Sequence, residues 1–422
     1  MSIVVSEKQS DAEIAPAASR TAPRSAQPVG YVCMIAYTNY VIDARVRREA
    51  ETLAAHGFHV RCLTNRNGAT ATSRVIDGVE VRELAVPKYR GKSTFAYMAS
   101  YLRFLIYASF ACVALVLKDE IDIVHVHILP DFLVFAGLVP RLMGRKVVLD
   151  IHDSMPETFA TKFSASGLIH RALCFEERVS ALVANKVICV NHPQRDTLVS
   201  RGLSVDKTFI TMNVPDPRIF GAATGGHTTE SPDEAFHLVY HGTMAERLGV
   251  DLLIRAVAQL RESNPRIRLH LWGHGDDLGS FQRLTHELGI DAAVEFNPKG
   301  YPLDELPACL RAMHLGVVGN RSSVAGDLML PVKLLEYVAL GIPAVVPRLR
   351  TIQYYFSEDM VFYYDADSVE SLADCLRWVQ CKPHLRRDRA QRARAFLDKH
   401  GWEHKSGELV ALYESLVKRE RI

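Results

Sequence analysis

The segment Leu330-Pro331-Val332-Lys333-Leu334-Leu335-Glu336-Tyr337-Val338-Ala339-Leu340-Gly341-Ile342-Pro343 carries the strongest chemical signal in the chain. A proline at the start of a helix leaves the next backbone N–H groups free, and the positive end of the helix dipole favours a diphosphate there. Pro331, Val332 and Lys333 would form that end. Glu336 falls about one turn further on, where a carboxylate can accept bonds from both hydroxyls of a ribose. An amphipathic core helix with one exposed glutamate would show the same pattern.

Other chemistry-bearing residues follow short apolar runs. His152 and Asp153 follow Lys146–Ile151, Gly242 follows Phe236–Tyr240, Gly273-His274-Gly275 follows Ile267–Trp272, and Asn320 follows His314–Val318. Gly273 and Gly275 permit close backbone approach to a nucleotide, although a tight turn needs them equally. Asp153 either orients the His152 ring or caps the following turn. His125 and His127 alternate onto one strand face. Two histidines without further ligands make a poor metal site, so they read as strand-end packing or crevice lining. Asp365-Ala366-Asp367 lies between the late strand Val361–Tyr364 and a helix beginning near Ser368, where Asp is a favoured cap. The eight cysteines are scattered with no C-x-x-C pair, which suggests neither a disulfide framework nor a metal site and fits a reducing cytoplasm.

The elements that must position these residues are alternating strands and helices. Tyr31–Ala36, Arg45–His56, Phe58–Leu63, Ile123–Val126, Phe132–Leu142, Lys146–Asp150, Lys186–Val190 and Thr208–Met212 alternate as parallel strands with helical crossovers do. A polar stretch from Gly221 to Asp233 reads as a linker. The alternation restarts with Phe236–Tyr240, Val250–Leu260, Ile267–Trp272, Phe281–Leu288, His314–Val318, Val332–Leu340 and Ala344–Val346. The pattern predicts an α/β chain of two Rossmann-like parallel-sheet domains facing across a crevice. The expected divisions are a disordered tail over 1–28, an acceptor-side domain over 29–215, a linker over 216–235, a donor-nucleotide domain over 236–398, and a closing helix over 399–422. A chain of 422 residues, 48% hydrophobic and 23% charged, is too long for one compact core.

The first 28 residues lack an apolar core and do not read as a signal peptide. Gly30 to Asn213 holds 22 Lys and Arg against 17 Asp and Glu, so a net charge of +2 divides into a basic first half and an acidic second half. A basic half suits phosphate groups or an anionic membrane, and ordinary surface variation gives the same imbalance. Phe104 to Leu117 contains no charge and follows the basic Pro87-Lys88-Tyr89-Arg90-Gly91-Lys92. Fourteen residues are too few to span a bilayer, which takes about 20. Burial beside the sheet is the expectation for this helix, with contact to lipid headgroups the alternative.

The Pro331–Pro343 segment resembles the PxKxxEYxAxGxP signature of the family-4 retaining glycosyltransferases, which have the two-domain GT-B fold. The resemblance extends from Gly30 to the C-terminus. His241-Gly242-Thr243-Met244-Ala245-Glu246-Arg247-Leu248-Gly249-Val250-Asp251 is similar to the family's glycine loop and phosphate-binding segment. Asp122–His127 and Leu149–Asp153 resemble acceptor-domain strands, Asn213-Val214-Pro215-Asp216 the crossover, and Trp402–Leu416 the closing helix.

The resemblance implies sugar transfer from a nucleoside diphosphate sugar, a UDP-sugar being favoured, to a polysaccharide or lipid-linked acceptor. It implies retention at the anomeric carbon, with no divalent metal and no further cofactor. His152 would act on the acceptor side together with Asp153. Gly242, Arg247, Gly273, Gly275, Pro331, Val332, Lys333 and Glu336 would hold the donor. The family's first glutamate is Leu328 here, and its two common loop cations are Thr243 and Leu248. That leaves Arg247 to grip the diphosphate, unless it is a solvated surface arginine. Lys333 would add a second charge or support the helix surface. A non-catalytic sugar-nucleotide scaffold and a sugar-nucleotide epimerase are the rival readings. Nucleic acid is not an expected partner. The expected location is the cytoplasm, with peripheral contact at the inner face of the membrane.

Overall fold

The computed structural model describes residues 27–417 apart from 69, 90, 92, 129, 163–166 and 222–234. The linker expected over 216–235 and the tail over 1–28 therefore lie mostly outside the described residues. Asp216 caps a short helix, Pro217–Phe220, whose Arg218 pairs with Glu51 of the first domain.

Two sheets organise the chain. The first contains β1 (Tyr31–Ala36), β2 (His59–Arg66), β3 (Ser73–Ile76), β4 (Val79–Pro87), β5 (Ile123–His127), β6 (Lys146–Ile151), β7 (Lys186–Cys189) and β8 (Thr208–Ile210). Its order is β3-β4-β2-β1-β5-β6-β7-β8, parallel except for the β3/β4 hairpin. The second contains β9 (Phe236–His241), β10 (Ile267–Trp272), β11 (Val294–Asn297), β12 (Leu315–Val317), β13 (Ala344–Pro347) and β14 (Phe362–Tyr364), in the order β11-β10-β9-β12-β13-β14. Strand order reverses between β1 and β5 and again between β9 and β12. Ligands of such sheets bind at these switch points.

The inner strands are buried on both faces because helices cover both sides, as β5 and β6 show. After β14, the helices Pro383–His400 and Trp402–Val417 return to the first domain. Trp402 donates its indole N–H to Thr52 at 3.2 Å and lies under the Arg48 guanidinium.

Several elements differ from the expectations. The β3/β4 hairpin and β11 were not anticipated. The Phe132–Leu142 helix is a 3-10 stretch, Asp131–Gly137, followed by a short α-helix, Leu138–Leu142. The largest difference is the apolar helix, which runs over Thr94–Leu117 rather than Phe104–Leu117, starting ten residues earlier because Ser93 caps it there and one charged residue, Arg103, does not interrupt it. It is not a core helix. Phe104, Ala108, Cys112 and Leu115 pack inward, while Phe95, Met98, Leu102, Ile106 and Phe110 form an exposed stripe. It is long and apolar enough to cross a membrane by length and composition, and only a third of its apolar window is buried.

Candidate active site

His152 emerges where β6 ends, with its side chain about a quarter exposed. Its Nε2 lies 2.9 Å from Asp150 Oδ2 and 3.2 Å from His127 Nδ1. The carboxylate that orients the ring is thus Asp150, not Asp153. Strand alternation puts residues 150 and 152 on one face, whereas Asp153 lies beyond the strand end and is exposed.

Asp150 is held by Arg45, the second residue of the Ala44–Ala55 helix that Asp43 caps. Arg45 donates Nε to Oδ2 at 2.8 Å and Nη2 to Oδ1 at 2.7 Å, and its Nη1 reaches the Thr211 carbonyl at 2.9 Å. Burial opposes ionisation of Asp150. Arg45 and the neighbouring histidines overcome it and hold the carboxyl well below the usual carboxylate range. Burial likewise opposes charge on His152, but Asp150 raises its pKa above the ordinary value.

His125 and His127 share a face as expected, yet they lie beneath the crevice rather than lining it. Their ring centroids lie 4.0 Å apart in a tilted arrangement, His127 Nδ1 is 3.1 Å from Asp150 Oδ2, and His125 Nδ1 is 2.6 Å from the Tyr413 hydroxyl of the C-terminal helix. Glu49, His125, His127 and Asp150 bring potential ligand atoms within 4.8 Å of one another. The Arg45 guanidinium already places a cation there, against both Asp150 and Glu49.

On the opposite wall, Pro331 caps the Val332–Leu340 helix with no side-chain acceptor, so the first N–H groups remain for a ligand. Gly341 ends it in the left-handed conformation. One turn on, Glu336 Oε2 lies 3.2 Å from His241 Nε2. Burial pushes Glu336 up to about 7 and, with Lys333, pushes His241 down to about 3. The Lys333 ammonium sits 3.5 Å above the Tyr240 ring with no hydrogen-bond partner among the described residues. Burial brings it down to about 7. A Cβ at Gly242 would fall 3.6 Å from Lys333 Nζ, so the glycine leaves the ammonium open toward the loop.

Gly273 and Gly275 have a nearer purpose than contact with a nucleotide. Cβ atoms there would fall 2.0 Å from the Gly242 carbonyl oxygen and 2.2 Å from that of Met244, and the two loops bond backbone to backbone. Arg247, in the one-turn Glu246–Leu248 helix, is exposed, with no bond to its guanidinium among the described residues. Its charge is felt at Lys333. Leu248 is buried in the second domain's core.

Arg321, which the sequence did not single out, fixes this turn. It donates to the Glu246 carbonyl at 3.1 Å and pairs with Asp251 at 2.5 Å and Asp367 at 3.4 Å. Ser368, not an aspartate of Asp365-Ala366-Asp367, caps the helix that follows. Asp327 spends its carboxylate on the Arg350 backbone N–H, and Leu328 is a buried part of the crevice wall.

A cavity of about 470 Å³ joins the two domains. Arg45, His152, Asp153 and Asn191 line it from the first, and Leu328, Pro331, Val332 and Leu335 from the second. Lys333 and Glu336 of the Val332–Leu340 helix meet Gly242 and His241 at the end of β9, and these four residues are not part of the cavity's lining. Across the gap, Asn191 donates Nδ2 to the Leu328 carbonyl at 2.7 Å, and the Tyr355 hydroxyl accepts the His192 backbone N–H at 2.9 Å.

Comparison with known proteins matches residues 42–213 to a glycosyl transferase 4-like domain and residues 235–380 to glycosyl transferases group 1. A GDP-mannose-dependent alpha-(1-6)-phosphatidylinositol monomannoside mannosyltransferase of Mycolicibacterium smegmatis is 36% identical over 107 residues, which is 25% of this chain and 28% of the relative. A lipopolysaccharide core biosynthesis glycosyltransferase of Rhizobium meliloti is 27% identical over 164 residues, covering 39% of this chain and 45% of the relative. Each match thus spans less than half of the curated relative. The solved sucrose-phosphate synthase of Thermosynechococcus elongatus superposes with a TM-score of 0.73 at 17% identity, over 92% of this chain and 99% of that one. The fold of the chain is GT-B.

Proposed function

We propose that this chain, with the GT-B fold and glycosyltransferase domains matched in both halves, is a retaining glycosyltransferase that moves a sugar from a nucleoside diphosphate sugar to a glycan or lipid-linked acceptor, without a divalent metal. One observation carries the reading: the uncapped N-terminus of the Val332–Leu340 helix opens on the same crevice as His152. The helix end, Lys333 and Arg247 together offset the charge that grows on the departing diphosphate, the role that a metal would otherwise fill. Glu336 holds the ribose, and the leaving phosphate takes the acceptor proton. His152 contacts the sugar and acceptor from the other wall.

The test is a screen of UDP-, GDP- and ADP-sugars for binding, followed by acceptor-dependent release of nucleoside diphosphate in the presence of EDTA. Transfer by the wild type with a retained anomeric configuration, lost in His152→Ala, supports the reading. Donor binding without transfer to any glycan or lipid acceptor favours a scaffold, and donor conversion without an acceptor favours an epimerase.

The acceptor is met at the inner face of a membrane, where the protein docks peripherally from the cytoplasm through the Thr94–Leu117 helix. Its exposed apolar stripe supports this, as do Lys88 and Arg103 in the adjoining groove, which suit anionic headgroups. The relative named above acts on a phosphatidylinositol-based acceptor, as its name states. Sedimentation with anionic vesicles should be salt-sensitive and lost in Phe95→Asp/Phe110→Asp, while neutral vesicles bind weakly. Equal sedimentation of the double variant removes this docking face.

A further inference from the structure

His152 is the crevice end of a buried polar network, which also reaches the crevice wall through Arg45, and it is the most exposed member of that network. We infer that Asp150, clamped by Arg45, is the positioning residue for His152: it holds the imidazole with its proton on Nε2 and leaves Nδ1 as the ring nitrogen that meets the substrate. This rests on the reading of His152 as the acceptor-side group.

The geometry is specific. Asp150 Oδ2 lies 2.9 Å from His152 Nε2, 3.1 Å from His127 Nδ1 and 2.8 Å from the donating Arg45 Nε. An oxygen in the middle of three nitrogens accepts from all three, which requires an ionised carboxylate and an Nε2–H on His152. His127 Nε2 is buried with no partner among the described residues. A proton there would be an unpaired buried donor, so the His127 proton belongs on Nδ1, where Asp150 accepts it. His127 therefore cannot receive the His152 proton, and Asp150 alone fixes the tautomer. Arg45 completes the arrangement with a two-point grip that leaves the carboxylate one orientation.

The charged and titratable groups around His152 come from four elements. Asp150 and His152 belong to β6 and its end, His125 and His127 to β5, and Asp43, Arg45 and Glu49 to the start of the Ala44–Ala55 helix. Tyr413 of the C-terminal helix holds His125. Asp150 is the nearest charge favouring the imidazolium, with Asp43 adding to it and Arg45 opposing it. Removing the Asp150 charge therefore moves the titration of His152 to lower pH.

The test uses the full-length protein with ¹⁵N-histidine, and its first readout needs no substrate. Imidazole nitrogen shifts should report an Nε2–H tautomer for His152, assigned by loss of its signals in His152→Gln, and a titration above the ordinary histidine value of about 6.5. In Asp150→Asn the titration should fall below that of wild type and the tautomers should mix. The transfer rate should drop by about 10²–10⁴-fold, the scale seen when an orienting carboxylate becomes an amide, with donor affinity retained. The limb of the pH–rate profile that belongs to His152 should shift to lower pH. An Nδ1–H tautomer in the wild type overturns the inference even if Asp150→Asn fails to fold. So does a folded Asp150→Asn with the wild-type tautomer and titration. If the tautomer is as stated but wild type transfers no sugar, the positioning stands and the proposed function falls.

Discussion

Lys333 is the residue whose removal should separate stability from function. Its ammonium is buried over Tyr240 without a hydrogen-bond partner among the described residues, and burial brings its pKa from 10.5 to about 7. The folded pKa is depressed, so the unfolded chain holds the proton more tightly between those two values, and folding stability rises as pH climbs from about 7 toward 10.5. Below pH 7 the full shift counts against the fold. At about 1.36 kcal/mol per unit this has a ceiling of about 5 kcal/mol. Replacing Lys333 with Met keeps the stem and removes the charge, and part of the gain is offset by the lost contact with Tyr240 and by relaxation of the site. A net gain of about 1–3 kcal/mol remains, comparable to the cost of a buried unsatisfied group. For a domain of this size that raises Tm by roughly 2–4 °C per kcal/mol.

Calorimetry of the ligand-free proteins at pH 6 is the cleanest comparison, because Glu336, raised to about 7, is mostly protonated there. Lys333→Met should be the more stable protein at pH 6, and its advantage should largely vanish by pH 9, where about 2.7 kcal/mol of the ceiling has been relieved. Donor affinity should fall about 10- to 100-fold, the loss of one charge-assisted bond. A variant that melts below wild type at pH 6 and binds donor normally would refute the reasoning, since the ammonium would then be paired in solution and remote from the diphosphate.

Glu336→Gln should weaken donor binding by about 1.5–3 kcal/mol in titration calorimetry, with the fold intact. Its raised pKa means that Glu336 contributes stability below about 4.5 that is lost as pH rises through about 7, so Glu336→Gln should be relatively more stable at pH 8 than at pH 5 in the same melts. Arg247→Ala should lower single-turnover transfer by about 10²–10³ at saturating donor with a smaller loss of affinity, because its interaction grows with charge on the departing diphosphate. Arg247→Lys should recover part of the rate, and wild-type turnover by Arg247→Ala would place the cation at Lys333 instead.

Much of the fold was legible because parallel strands covered on both faces are continuous apolar runs, as in Tyr31–Ala36 and Ala344–Pro347. The β3/β4 hairpin was missed although Asp77-Gly78 marks it. Both residues have positive φ, 47° and 83°, as a two-residue hairpin turn requires. The helix at Thr94 was misjudged because its charge-free stretch was taken for its extent, whereas a single arginine on an exposed face does not end a helix.

In the site, the Val332–Leu340 helix and its proline were readable from local chemistry alone. The partnership of Asp150 with His152 was within reach through the two-residue period of a strand, but Asp153 stood nearer in sequence. His127 depends on strand register, since it pairs with Asp150 across β5 and β6, and Arg45 reaches the same carboxylate from a helix far away in sequence, neither of which a local pattern encodes. Arg321 was invisible for the same reason. Its partners, Glu246, Asp251 and Asp367, meet only once the loops at the ends of the second sheet are assembled.

The most direct test of the account is a crystal structure of the protein with a non-hydrolysable nucleoside diphosphate sugar. The diphosphate should accept bonds from the backbone N–H groups of Val332 and Lys333 and from Lys333 Nζ, with the ribose on Glu336 and the sugar turned toward His152 in the shared crevice. A nucleotide bound by the first domain, or a sugar directed away from His152 with the Val332–Leu340 helix end left empty, would contradict it.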